Sequence, residues 1–562
     1  MTQPNPHHDR HDRHDRHDVV VLGGHLATGL LAAVLARHGV RVALVPTSGD
    51  RDVPSGETTI PYTAELFFLL GARFGIPEIA ALGMFGDLPA ELRGSGRAKR
   101  NLGFLYHRAD RSHRTAEALQ FAVPGEHAEW HVHRPEADAY AIQLAGRLGA
   151  TVADAEAVPH GVRVGRGGVS VELAGGGTVD AEYLVDGSGA ADLLPAGLPA
   201  PDPGRVRHRA RLLHTHFTGV APFESVVPPK AHRRADPWSE GTLLHTFAGG
   251  WMQLAHFGHA EGGGPGRCSV TLSLDPDVHP AGDGEGPDEE FARIVARYPD
   301  IARQFLDAVP VRPWRRVERW PAVVDRCSGP RWFLFDRSAG RHDLLLSRDL
   351  SMSLELVHAT AAALLEMGRA RDWAGERMKP AADFQLRLFD FHDRLVAAGR
   401  HAAADFPLWN AYLRVWLLWT ILSAMSLKRA RLEGEKGRSD DDARWSPVER
   451  FEDGEYWYRV PGGLPDLVSG SLRDLLDVPA RLDGTTAAGR VYARLRRSRF
   501  VPPLFRFGDP DARYYRFGRL RRLRMLLWVR TSAPDDFRRL LTLDNVTAVA
   551  ESRAVPARTS RT

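Results

Sequence analysis

The chain has 562 residues, 43% of them hydrophobic and 26% charged, with a formal net charge of +4. That length exceeds one small core, so two or three subdomains of a soluble globular protein are expected. The charge is spread along the chain without long blocks of one sign, which argues against nucleic acid as a partner.

Positive charge comes almost wholly from arginine. The five lysines are Lys99, Lys230, Lys379, Lys428 and Lys436, so a lysine in a cleft stands out. The two cysteines, Cys268 and Cys327, lie far apart and outside any metal-ligand spacing, which points to a reduced, cytoplasmic protein. No uninterrupted apolar run of about 18 residues and no signal-peptide core is present, so neither a membrane span nor an export signal is expected.

In chain order, the segment HHDRHDRHDRHD offers nothing apolar to bury, and residues 1–17 are expected to form a solvated tail with at most loose metal affinity. From Val19 the run VVVLGGHLATGLLAAVLARHGVRVALV reads strand, turn, helix, strand, the opening unit of a dinucleotide-binding domain. Gly23 and Gly24 start the turn. The second and third glycine positions of the fingerprint are His25 and Thr28, with Gly29 one place late, and Pro46 stands where an acid would meet the ribose. The fold signal is strong and the binding signal weak.

Further along come Gly56-Glu57-Thr58-Thr59-Ile60-Pro61 before a helix, AKRNLGFLYHR around Lys99, EWHVHRPEADAY from Glu129, VDGSG from Val185 and GTLLHTFAGGWM from Gly241. The stretch from Trp332 to Val357 reads as a strand, a turn holding Gly340 and an amphipathic helix. Its turn is crowded with Asp336, Arg337, Arg341, Asp343, Arg348 and Asp349. Trp409, Leu413, Trp416, Leu417 and Ile421 follow helical spacing and predict packing. Mixed charge and glycine between Arg431 and Pro447 predict an exposed loop.

These segments, with PLWNAYLRVWLLWT from Pro407 and FVPPLFRFGDPDARYY from Phe500, resemble flavin-dependent halogenases, most closely the branch that chlorinates phenols and aromatic polyketides. The resemblance runs from about Asp18 to Asp536. It implies an α/β fold of the FAD-dependent monooxygenase or halogenase type: a Rossmann-type βαβ unit in a three-layer arrangement, a substrate-binding mixed β-sheet and a helical C-terminal region. The nucleotide-type domain is expected over 18–368, with the substrate sheet inserted at about 116–150 and 205–311. The helical region over 369–562 caps the pocket.

The same resemblance assigns roles. Lys99 matches the lysine that carries the activated halogen beside the substrate. Gly23, Gly24, Gly29, Glu57, Thr58, Asp186 and Gly340 fall at flavin-contacting positions. The family pattern W-x-W-x-I-P falls on Trp251-Met252-Gln253-Leu254-Ala255-His256, which keeps only the first tryptophan and places Trp251 and Gln253 in the substrate pocket. The flavin-contacting Gly-Asp pair becomes Asp336-Arg337, and the glycine beside the halide becomes Asp349, next to Arg348 and two residues after Ser347. A carboxylate about 4 Å from chloride opposes it by roughly 4 kcal/mol at an effective dielectric near 20. Arg348 is placed to offset that charge. The six charged turn residues are expected to form an ion-pair network that fills the flavin's volume.

His107, His131, His133, His245, His256 and His342 fall in the inferred core. Their spacing lacks the HxxxH or HExxH of a helix-borne metal site, so no metal is expected. The sequence therefore favours a halogenase-derived enzyme that no longer uses flavin and holds no tightly bound cofactor. It would bind a phenolic or polyketide intermediate for an acid–base or cyclisation step, with Lys99 and His256 as catalytic groups. The alternatives are an active FADH2-dependent halogenase fed by a separate flavin reductase, and a non-catalytic partner of a biosynthetic pathway.

Overall fold

The computed structural model describes residues 16–47, 56–123, 129–154, 159–190, 193, 197–228, 231–258, 266–437, 442–452, 456–476, 484–516 and 519–540. The expectation for the tail falls outside them except at its end, where strand β1 (His17–Leu22) already begins and Arg16 pairs with Glu182 at 3.2 Å. The valine run of β1 is buried on both faces, as a central parallel strand requires. It lies between β2 (Val42–Val45) and β10 (Thr178–Asp186), both parallel to it. The strand Trp332–Leu334 extends the sheet in parallel beyond β10.

Helix α1 (Leu26–Arg37) crosses from β1 to β2 and packs on α3 (Arg134–Arg147). Gly29 makes that crossing possible, because a Cβ there would sit 2.7 Å from the Ala141 carbonyl carbon. Helix α2 (Pro61–Phe74) starts on a proline suited to a first helical turn and ends at Gly75 in the left-handed region, φ 64°.

The second sheet holds β4 (Asn101–Tyr106), β5 (Ala118–Ala122), β11 (Ala210–Thr218), β12 (Thr242–Phe247), β13 (Gly250–His256) and β14 (Arg267–Leu274). Within this nine-stranded sheet these six run in the order β11-β14-β13-β12-β4-β5, antiparallel to one another except where β4 meets β12. Two boundaries expected from sequence are corrected by this register. Residues 101–106 belong to the second sheet because β4 pairs with β12, and α3 belongs with α1 in the first layer although it lies inside 116–150. A short two-stranded ladder, β3 (Arg97–Lys99) with β6 (Glu129–His131), joins the layers.

Helices α4 (Asp349–Ala370), α5 (Lys379–Ala402) and α6 (Phe406–Lys436) complete the molecule. Trp409, Leu413, Trp416 and Leu417 are buried in the main apolar core, as expected. The loop expected from Arg431 is instead the last turn of α6, where Arg431 pairs with Glu435 four residues on and with Glu65; residues 438–441 lie outside the described set. One segment among the described residues, Leu345–Ala370, is long and apolar enough to cross a membrane. Most of it is buried against α1, α2 and α5.

The Gly29 contact is with backbone, which cannot swing aside. Gly29→Ala is expected to cost about 1–3 kcal/mol through overpacking. Gly94→Ala, which meets nothing within 4 Å, is expected to stay within about 0.5 kcal/mol of the parent. Chemical denaturation of the two variants checks both outcomes.

Candidate active site

The turn between β1 and α1 is where a dinucleotide's pyrophosphate would meet helix-terminal N–H groups. Here Gly23 has φ +131°, and a Cβ on it would stand 2.8 Å from Thr28 Cγ2. The His25 imidazole is buried, with Nε2 3.0 Å from the Gly187 carbonyl at the end of β10. It thus spans the gap between the turn and the VDGSG segment. Thr28 Oγ1 donates to the His25 carbonyl at 2.8 Å and locks the geometry. The Leu26 N–H donates to Asp138 Oδ1 at 2.8 Å, and Arg134 holds that carboxylate. Burial, with the charge of Arg337 acting the same way, lowers the His25 pKa to about 4. A neutral imidazole offers no charge to a phosphate.

The flavin and halide end is also committed internally. Asp336 adopts φ 50°, donates nothing to the cleft through its backbone N–H, which bonds Gln385 Oε1 at 3.0 Å, and accepts from Ser353 Oγ at 2.8 Å. The Gly189 N–H donates to Ser338 Oγ, and Asp186 Oδ1 accepts from the Ser188 N–H. Gly340 lies under the Phe389 ring, which a Cβ would approach to 3.0 Å. Asp349, at the first turn of α4, accepts from the Gly56 N–H at 2.5 Å. Ser347 Oγ donates to Gln253 Oε1 at 2.8 Å and so ties the α4 end to β13. Leu346 and Ser347 both sit in the left-handed region, a cost of about 1–3 kcal/mol each that the surrounding packing must hold.

Of the six turn residues expected to pair with one another, Arg348 and Asp343 bond outside the turn. Arg348 turns away from Asp349 to Glu355 at 3.3 Å and lies 4.5 Å over the Trp419 ring. It therefore leaves the Asp349 charge unopposed by a cation of its own turn. Asp343 points the other way, to Arg400 at 3.2 Å and His208 at 3.4 Å. Burial alone would raise the Asp343 pKa, but the His208 hydrogen bond and the Arg400 charge hold it at about 2.

Lys99 is neither on an exposed edge nor facing open space. It is fully buried on β3, with Nζ 3.0 Å from Glu129 Oε2 and donating to the Thr59 carbonyl. Burial works against both charges, lowering the Lys99 pKa and raising that of Glu129, and each partner offsets part of the other's shift. His256 enters through its backbone carbonyl, which accepts from His131 Nδ1 at 2.7 Å. On its other side, His131 Nε2 lies 3.0 Å from Thr242 Oγ1, which lies 2.7 Å from Thr58 Oγ1. Lys99 and His256 therefore flank His131, whose pKa burial lowers to about 3.

Glu57 and Thr58, expected at the cofactor, are bonded inside the protein. Glu57 Oε2 accepts from His216 Nε2 at 2.9 Å. Trp251, expected in the substrate pocket, lines with Leu345, Arg400 and Trp409 a cavity of 20 Å³, room for about one water. His107 meets His245 at 2.9 Å, and the His342 ring lies 4.0 Å from that of Phe389 between centroids, tilted by 49°. The partners Glu129, Asp138, His216, Glu355 and Gln385 escaped sequence reasoning. Only Asp138 carried a local signal, at i+4 from Arg134.

The two sheets and the helical C-terminal region define the fold class of FAD-dependent monooxygenases and halogenases. The chain belongs to the flavin-dependent halogenase family. It is 32% identical over 551 residues to the tetracycline 7-halogenase of Kitasatospora aureofaciens, covering 96% of this chain and 97% of that one. It is 30% identical over 557 residues to the monodechloroaminopyrrolnitrin halogenase PrnC of Pseudomonas fluorescens, covering 96% of each. No family model matches. The fold superposes on halogenase PltM with a TM-score of 0.81 at 24% identity, over 89% of this chain and 99% of that one. PltM in complex with phloroglucinol and FAD gives 0.79.

The residues at the β1–α1 turn do not fit a seated dinucleotide in this arrangement. The imidazole of His25 crosses from the turn to Gly187, and the Leu26 N–H already has an anion.

The Asp343 carboxylate is ionised more readily in the folded chain, about 2 against an ordinary 3.8, so its stabilisation is complete above pH 4 and lost as pH falls through 2. His208 runs the opposite way. Its pKa is raised, because bonds to Asp343 and Asp393 outweigh burial, so its contribution fades as pH climbs through its folded value. Asp343→Asn is expected to cost about 3–5 kcal/mol at pH 7 and to flatten the loss of thermal stability between pH 4 and 2. Melting curves across that range check both.

Proposed function

We propose that this protein halogenates an aromatic small molecule of phenolic or polyketide type, using reduced FAD supplied by a separate reductase, with weak affinity for both flavin and halide. Identity to two halogenases along 96% of the chain is the observation that carries the reading. Its support in the site is the buried lysine, which stands at the position the family resemblance assigns to halogen transfer.

When bound, reduced FAD would activate dioxygen, which supplies the oxidising equivalents for halide. The chain's own contribution is different. The Lys99 ammonium is fixed by Glu129 and Thr59 so that it cannot swing. The weak affinity follows from His25 on Gly187 and Asp349 on Gly56, since both contacts must open first.

Incubation with halide, FAD, a flavin reductase and a panel of phenols and fused-ring polyketides tests the proposal. A halogen-for-hydrogen mass shift is expected, with halide KM falling by about a hundred- to a thousandfold in Asp349→Gly, as removal of a nearby like charge predicts. Lys99→Met combined with Glu129→Gln, which leaves no buried charge unpaired, is expected to abolish product while the fold persists. No halogenated product from either the parent or Asp349→Gly would overturn the reading.

The same two contacts favour a second reading, a flavin-independent conversion in the inherited cavity. It predicts a colourless protein whose melting temperature FAD leaves unchanged, and substrate consumed without halide.

A further inference from the structure

Behind the cleft, one donor atom from each of Glu57, His214 and His216 lies within 4.8 Å of the other two. The cause is strand periodicity. In β11 the run His214-Thr215-His216 places both imidazoles on one face, because side chains two apart in a strand share a side. Glu57 arrives from the segment after β2, 157 residues before His214 in sequence, and meets His216 Nε2 at 2.9 Å.

We propose that Glu57, His214 and His216 form a binding site for one divalent transition-metal ion, zinc or ferrous iron in class. Two imidazoles and one carboxylate are a donor set suited to such ions, and three protein ligands leave positions for water. Metal–ligand lengths of about 2.0–2.2 Å put tetrahedral donors roughly 3.3 Å apart, so the widest-spaced donors must close by up to about 1.5 Å while Glu57 Oε2 and His216 Nε2, now 2.9 Å apart, separate slightly.

Several features of the surroundings favour this. Thr271 Oγ1 lies 3.0 Å from His214 Nδ1, which fixes the ring and turns Nε2 to the site, the outer-shell device common around ligating histidines. Within the site, His216 Nδ1 is buried without a hydrogen-bond partner.

Two neighbours weigh the other way. Arg312 places a positive charge near His214 and His133, and Cys268 stays a thiol because burial raises its pKa. The site is therefore an oxygen–nitrogen one of moderate affinity. An ion there would clamp Glu57, and with it the segment that presents Gly56 to Asp349 and Thr59 to Lys99.

The proposal is independent of halogenation and of flavin. The full chain, stripped with a chelator, is titrated with Co2+ and followed by its visible absorption, alongside His214→Phe and Glu57→Gln. The histidine-rich N-terminus is present in all three proteins and so serves as its own control. The expected result is one saturable equivalent in the parent, with a tetrahedral or five-coordinate Co2+ spectrum, that both variants lose while their melting temperatures without metal show them folded. Equal Co2+ uptake by parent and His214→Phe, or none by the parent, overturns the proposal. Should a variant not fold, zinc-edge anomalous scattering from zinc-soaked parent crystals decides: a peak between Glu57 and His216 supports the site, and its absence overturns it.

Discussion

The structure turns on four consecutive residues, Gly56 to Thr59, each tied to a different element. The Gly56 N–H binds Asp349 of α4, and Glu57 binds His216 of β11. Thr58 binds Thr242 of β12, and Thr59 binds Trp130 of β6 through Oγ1 and Lys99 of β3 through its carbonyl. This extended stretch touches the helix that closes the first sheet, the second sheet and the ladder between them. Its residues are buried, so each bond forms in a medium where an unmade one costs about 1–3 kcal/mol. The relation between the layers is fixed here more than by any apolar contact, because apolar packing tolerates sliding and these bonds do not.

The same stretch sets the electrostatics of the cleft. The N-terminus of α4 carries partial positive charge and favours an anion. In this chain Asp349 supplies that anion from within, and at the other end Asp138 does the same for α1. Both helix ends that face the cleft are thus satisfied by carboxylates of the chain. An exogenous phosphate or halide competes with a tethered group at high effective concentration, and this weakens its binding without any change of fold. Arg348 does not relieve the competition, since its guanidinium is held by Glu355 and the Trp419 face, and Tyr62 and Trp457 hold Glu355 in turn.

Much of the architecture was legible in the residues. The valine run and paired glycines after Asp18 specify the βαβ unit whatever occupies the turn, and the ordered motifs indicate the family. The partners of the charged groups were not legible, because they are set by contacts distant in sequence: Lys99 with Glu129, Glu57 with His216, Asp343 with Arg400. Charges close in sequence suggest pairing, yet Asp349 and Arg348 diverge because successive helical side chains point about 100° apart. One local signal was present and misread. Arg429–Glu433 and Arg431–Glu435 are i,i+4 pairs that support a helix where charge suggested a loop.

These ties separate binding from folding. Asp349 contributes one of the several bonds that hold residues 56–59, and the Glu57, Thr58 and Thr59 contacts do not pass through it. Loss of the Asp349 carboxylate frees a helix end and an N–H while the segment remains anchored on three sides. The buried pairs differ. Lys99 with Glu129, or Asp343 with Arg400, cannot lose one member without stranding a charge in the core. The cleft is therefore built from two kinds of carboxylate: one that blocks ligands at small cost to the fold, and others that hold the fold and touch no ligand. A change in ligand affinity within this scaffold is reached most cheaply through the first kind.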